Sequence, residues 1–142
     1  MIRGVASDLA SILKAFFREL QEPLFSFGFY NGFIAAFKLA DEELRKKTVL
    51  MLCCLLEEEH LHTLVLLMRF LLDVANEATN QMDAASLASI LTPNLLRPRD
   101  QAAVTSQLEL ANHASCVGVV EMLIKYGQGP SVAVMRGATW TV

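Results

Sequence analysis

Between Leu9 and Leu20 the apolar residues Leu9, Ile12, Leu13, Phe16, Phe17 and Leu20 fall at i, i+3, i+4, i+7, i+8 and i+11. That spacing gathers side chains on one face of a helix and would scatter them over both faces of a strand. An amphipathic helix over about 8–20 is therefore the first fixed point of the chain. Its stripe centres near Leu9 and Phe16, which turns Lys14 and Arg18 together toward solvent on the opposite side. Glu22-Pro23 ends the helix, because the residue before a proline is pushed out of the α region and proline has no N–H to donate. An extended link is expected next.

The helical period then returns. Phe29, Tyr30, Phe33 and Phe37 predict a second, aromatic-rich helix reaching Leu39. Asp41, Glu42 and Glu43 favour a new N-terminus through the helix macrodipole, and Leu44, Thr48, Met51, Leu52 and Leu55 form the stripe of a third helix. Leu61, Leu64, Val65, Leu71, Leu72 and Ala75 form a fourth. No Gly or Pro separates these two, but one helix from Asp41 to Ala75 would far exceed the usual length of about 11–12 residues, so a break is placed near Glu58. Asp83 suits an N-cap, with Met82 and Leu87 as a hydrophobic staple, and Pro93 should stop or kink that fifth helix near Thr92. A polar connection from Arg97 to Ser106 leads to a last helix over roughly 108–126, ended by Gly127-Gln128-Gly129-Pro130. Residues 131–142 carry no pattern and read as a C-terminal tail. The expected organisation is all-α: one helical bundle over 1–130 followed by the tail.

Charge and motif content narrow the function. A net charge of -3 gives no support to nucleic-acid binding, which normally needs clustered Lys and Arg. Neither apolar run, Thr48–Leu56 or Leu61–Leu72, reaches the roughly 20 residues of a membrane span, and the second contains Arg69. The N-terminus has no apolar signal segment, so a cytoplasmic protein is expected. Cys53, Cys54 and Cys116 show no zinc spacing and lie in apolar helical runs, as reduced core residues would. His60 and His62 next to Glu57-Glu58-Glu59 invite a metal, but residues i and i+2 point apart on a helix, and a solvated junction is the better reading. No Ser-His-Asp or Cys-His set and no Gly-rich phosphate loop is present. Neither a cofactor, a metal nor an independent enzyme is expected.

Three segments carry a family resemblance. Leu13-Lys14-Ala15-Phe16-Phe17-Arg18-Glu19-Leu20-Gln21-Glu22-Pro23-Leu24 resembles the LKxFxRELPEPL signature of the RhoGAP family, activators of Rho-type GTPases. His62-Thr63-Leu64 with Leu67-Met68-Arg69-Phe70-Leu71 is similar to the family's NxxTLxxLxxHL helix, a weaker match. Asn80-Gln81-Met82-Asp83 through Leu91-Thr92-Pro93-Asn94-Leu95-Leu96-Arg97 is similar to NKMxxxNLAxxFxPNLLR. The resemblance implies a RhoGAP-type helical bundle that docks on a Rho-family small GTPase in its GTP-bound form. By position it places Lys14, Arg18 and Asn94 at that contact.

Departures accompany the matches. Gln21 stands where the family has proline, Gln81 where it has lysine, and the LPxxN start of the fourth helix is absent. The G-x-x-R-x-x-G loop that carries the family's arginine finger does not occur, and Arg3 lacks the flanking residues to replace it. The resemblance therefore covers a bundle truncated at the N-terminus, with apolar surface left uncovered, no catalytic residue and weakened activation. Two function classes stay open: a GTPase-activating module, or a module that binds a small GTPase or another signalling partner without accelerating hydrolysis. Plainer roles also exist. Lys14 and Arg18 would serve as a solvated helix face, Asn94 as a turn residue after Pro93, and Phe25, Phe27, Phe29, Tyr30, Phe33 and Phe37 as core.

Overall fold

A computed structural model describes residues 2–77, 79, 82–99 and 107–126. Within them the chain forms six α-helices and no strand: α1 (Ile2–Arg18), α2 (Tyr30–Phe37), α3 (Glu42–Cys54), α4 (Glu58–Asn76), α5 (Ala84–Leu95) and α6 (Gln107–Tyr126). The expected tail over 131–142 lies outside the described residues. α6 packs against α5, α2 and α4, while α1 lies on α5 and α3 on α2. The bundle is thus organised around the α5–α6 pair.

α1 contains most of the expected helix but begins earlier, at Ile2, and ends at Arg18, before Leu20 and the Glu22-Pro23 stop, and its buried face is rotated from the expected one. Phe17 is buried, with Leu13 and Leu20 packed beside the core, whereas Ile12 is 64% and Phe16 57% exposed. At about 100° per residue a face centred between Leu13 and Phe17 puts Lys14 on its shoulder and Arg18 well out toward solvent. In agreement, Lys14 is half-buried and Arg18 exposed.

The link after Pro23 is a tight turn rather than an extended segment. Ser26 donates its N–H to the Pro23 carbonyl at 2.8 Å and a 3-10 turn, Phe27–Phe29, feeds α2. Ser26 takes φ 62°, a left-handed backbone value that is unfavourable for a residue with a Cβ. Phe25 and Phe33, both fully buried, meet edge to face at 5.1 Å, so this half of the aromatic cluster is core.

α3 begins on the Asp41 cap, whose carboxylate accepts from the N–H of Glu43 at 2.9 Å and of Leu44 at 3.4 Å. Its core face is not the expected stripe. Val49 and Cys53 are buried, while Leu44, Met51 and Leu55 are 50%, 59% and 65% exposed. Residues Val49–Leu56 are apolar almost throughout, so period alone could not choose between two adjacent lines. The break before α4 falls at Leu55–Glu57, close to the expected site, where Leu55 and Leu56 donate to the carbonyls of Leu52 and Cys53.

α5 starts on Asp83, which accepts from the Ser86 N–H at 2.8 Å. Pro93 does not stop the helix, which continues to Leu95. Proline lacks the N–H that would have bonded the Ser89 carbonyl, and Ser89 and Pro93 are both exposed residues, on a side of the helix open to solvent. Thr92 is buried and returns its hydroxyl to the Ala88 carbonyl at 2.6 Å. α6 buries Cys116, Val119, Val120, Leu123 and Ile124. Cys53, Cys54 and Cys116 are free thiols, and burial, then the neighbouring Cys54, pushes the Cys53 thiol well above its usual range.

Candidate functional site

The end of α1 and the end of α5 meet at one edge of the bundle. Three contacts fasten the connecting segment: Phe25 N–H donates to the Leu95 carbonyl at 3.2 Å, an Arg97 Nη2–H donates to the Leu20 carbonyl at 3.0 Å, and His60 Nδ1 lies 2.9 Å from the Leu24 carbonyl. A carbonyl only accepts, so His60 carries its proton on Nδ1 there. Leu24, Phe25, Leu95 and Leu96 are buried beneath the junction.

This junction sets where the expected site residues stand. Arg18 closes α1 and is exposed at a helix C-terminus, where the macrodipole favours a cation. Lys14 lies one turn earlier on the same helix. Neither makes an ion pair among the described residues. Asn94 sits in the last turn of α5, not in a loop, and is 8% exposed. Its side chain makes no hydrogen bond among the described residues, yet its polar atoms are not sealed off. Among the described residues the helix ends thus carry two cations without an ion pair and an amide without a hydrogen bond, above the buried Phe25 and Leu95.

Sequence reasoning missed the residues that build the edge. The Arg97 guanidinium carbon lies 5.8 Å from the Phe27 ring centroid, and that of Arg99 lies 5.1 Å from the same centroid. His60 is a half-buried tie to Leu24 rather than part of a solvated junction. The signals were slight: an arginine just past an apolar helix end, and a histidine in the first turn of α4.

Chemically the edge can donate hydrogen bonds and positive charge to carboxylates or phosphates on a partner. Among the described residues it holds no nucleophile paired with a base, and no group of three or more His, Cys, Asp or Glu side chains gathers to hold a metal. No helix among them is long and apolar enough to cross a membrane.

Residues 5–100 match the family model described as RhoGAP domain. The human protein Bargin is 38% identical over 120 residues, covering 82% of this chain and 18% of Bargin. Human Rho GTPase-activating protein 11A is 40% identical over 91 residues, covering 63% of this chain and 9% of that protein. Among solved structures, the BH domain from Graf, the GTPase regulator associated with focal adhesion kinase, superposes with a TM-score of 0.71 at 29% identity, over 90% of this chain and 64% of that one. The chain thus spans under a fifth of the length of the curated relatives it matches.

Proposed function

This chain belongs to the RhoGAP family, and from that premise we propose that it docks on Rho-family GTPases in their GTP-bound form through Lys14, Arg18 and Asn94 and promotes their GTP hydrolysis weakly. The observation that carries this reading is the joined edge, where an exposed Arg18 and an Asn94 amide with no hydrogen bond among the described residues stand at two helix ends tied by Arg97–Leu20 and Phe25–Leu95. Cations left without an ion pair among the described residues are available to acidic groups of a partner, and the Asn94 amide offers two donors and an acceptor.

The 142 residues contain no G-x-x-R-x-x-G run. An arginine that stabilises charge on the transferred phosphoryl group is worth about 10³–10⁵ in rate, so these residues supply the contact without that contribution. The chemistry stays in the GTPase's own active site and the chain acts as a regulator, in the cytoplasm where such GTPases work. The same missing run favours a second reading, a module that binds a small GTPase or another signalling partner without accelerating hydrolysis.

Single-turnover GTP hydrolysis by a panel of Rho-type GTPases, with and without the chain, separates the two. Acceleration well below that of a finger-bearing domain, and abolished by Arg18→Ala or Asn94→Ala, supports the first reading. Binding with no acceleration supports the second, and absence of both refutes the docking edge.

A further inference from the structure

We propose that Arg97 is the positioning residue of this edge: by gripping the Leu20 carbonyl it holds the end of α1 against the end of α5, and so sets Arg18 and Asn94 in one arrangement. The inference rests on the docking reading above for its effect on affinity, and on the geometry alone for the junction itself.

Arg97 lies 77 positions from Leu20, and its Nη2 bond spans the two helix ends directly. The lever arms are short, since Arg18 is two residues before Leu20 and Asn94 three residues before Arg97. The guanidinium carbon also lies 5.8 Å from the Phe27 ring centroid, within cation–π range. Beside it runs the Phe25–Leu95 backbone bond, so the side chain and the main chain close the junction together. Arg97 Nε is buried and has no acceptor among the described residues. A buried donor left unmet is unfavourable, and an apolar side chain there would fill space without that cost. Arg97 is therefore poorly explained as core packing and well explained as the link between the two helix ends.

A lysine at 97 can reach one carbonyl as a point donor but lacks the planar fork. Hence Arg97→Lys should keep part of what Arg97→Ala loses, an ordering that simple loss of bulk would not produce. Asn94 and Arg18 themselves should be untouched in chemistry and altered only in placement.

The test uses the full chain in two measurements. In amide hydrogen exchange, Arg97→Ala should speed exchange of the Phe25 amide by about tenfold or more, as local opening does, while the Leu64 and Val119 amides keep their protection. In binding to GTP-analogue-loaded Rho-type GTPases, Arg97→Ala should weaken affinity about tenfold, Arg97→Lys less, and Arg97→Ala should cost clearly less in an Arg18→Ala background, where only the placement of Asn94 is left to lose. Unchanged Phe25 protection overturns the proposal, and so does a full, additive loss in the Arg18→Ala background. If the wild-type chain binds no GTPase, the docking reading fails with the predicted affinity effect, and exchange at Phe25 alone decides whether Arg97 holds the junction.

Discussion

Placing a methyl group at Gly118 should destabilise the bundle, and removing the Phe37 ring should reverse the sign of that effect. Gly118 of α6 faces Phe37 at the end of α2, and a Cβ there would stand closer than 3.0 Å to three atoms of the ring. Two terms oppose each other. Alanine for glycine inside a helix gains about 1 kcal/mol, whereas forcing extra volume into a packed contact costs about 1–3 kcal/mol. The ring has little room to yield, because the Arg45 guanidinium sits 5.3 Å from its centroid and is itself held on the Leu39 carbonyl at 3.1 and 3.0 Å. The steric term should therefore win, leaving Gly118→Ala less stable by up to about 2 kcal/mol. In a Phe37→Ala background the overlap is gone, and the same change should stabilise by about 1 kcal/mol, a coupling of about 1–3 kcal/mol. Urea denaturation midpoints for the four proteins, with unchanged m-values, measure the cycle. Gly118→Ala stabilising the wild type, or acting equally in both backgrounds, would refute the packing argument that locks α6 to α2.

Ser26→Gly should raise stability by about 1 kcal/mol in the same assay, because it removes the Cβ from a left-handed backbone position; a loss would mean the serine side chain outweighs that strain. The Ser86 N–H bond chiefly holds the Asp83 carboxyl below its usual range, so the cap should stabilise fully above a pH of about 4 and fade as pH falls through the lowered folded value. Asp83→Ala should accordingly lower Tm at neutral pH, with the gap to wild type narrowing in acid; a gap constant with pH would contradict this. Cys53, buried with its thiol pushed up, should react with a thiol reagent only as fast as the protein opens, more slowly than Cys54. Rapid labelling of Cys53 in the native state would count against the α3 core face.

Much of the helical architecture was legible because it rests on local chemistry. Asp41 and Asp83 marked helix starts through carboxylates that do cap N–H groups, and the α3–α4 break fell near Glu58 because so long a helix is rare. The faces were harder to read. Where apolar residues run nearly unbroken, as in Val49–Leu56, the helix can roll by one residue and still bury a stripe, and only packing on α2 chose Val49 and Cys53 over Met51 and Leu55. Pro93 misled because its penalty depends on whether the freed Ser89 carbonyl is buried, which is a property of the fold. The edge itself was visible only through its motif residues. Arg97, His60 and Phe27 act through contacts to residues far away in sequence, and no local pattern announces a side chain that grips a carbonyl 77 positions away.

The most direct test of the central claim is the affinity of the full chain for a Rho-type GTPase loaded with a GTP analogue and, separately, with GDP. The account predicts binding that favours the GTP-analogue form, weakens with salt because cations carry it, and drops about tenfold on Arg18→Ala, some 1.4 kcal/mol, with Asn94→Ala acting in the same direction. Binding indifferent to nucleotide, or unchanged when Lys14, Arg18 and Asn94 are all replaced by alanine, would contradict it.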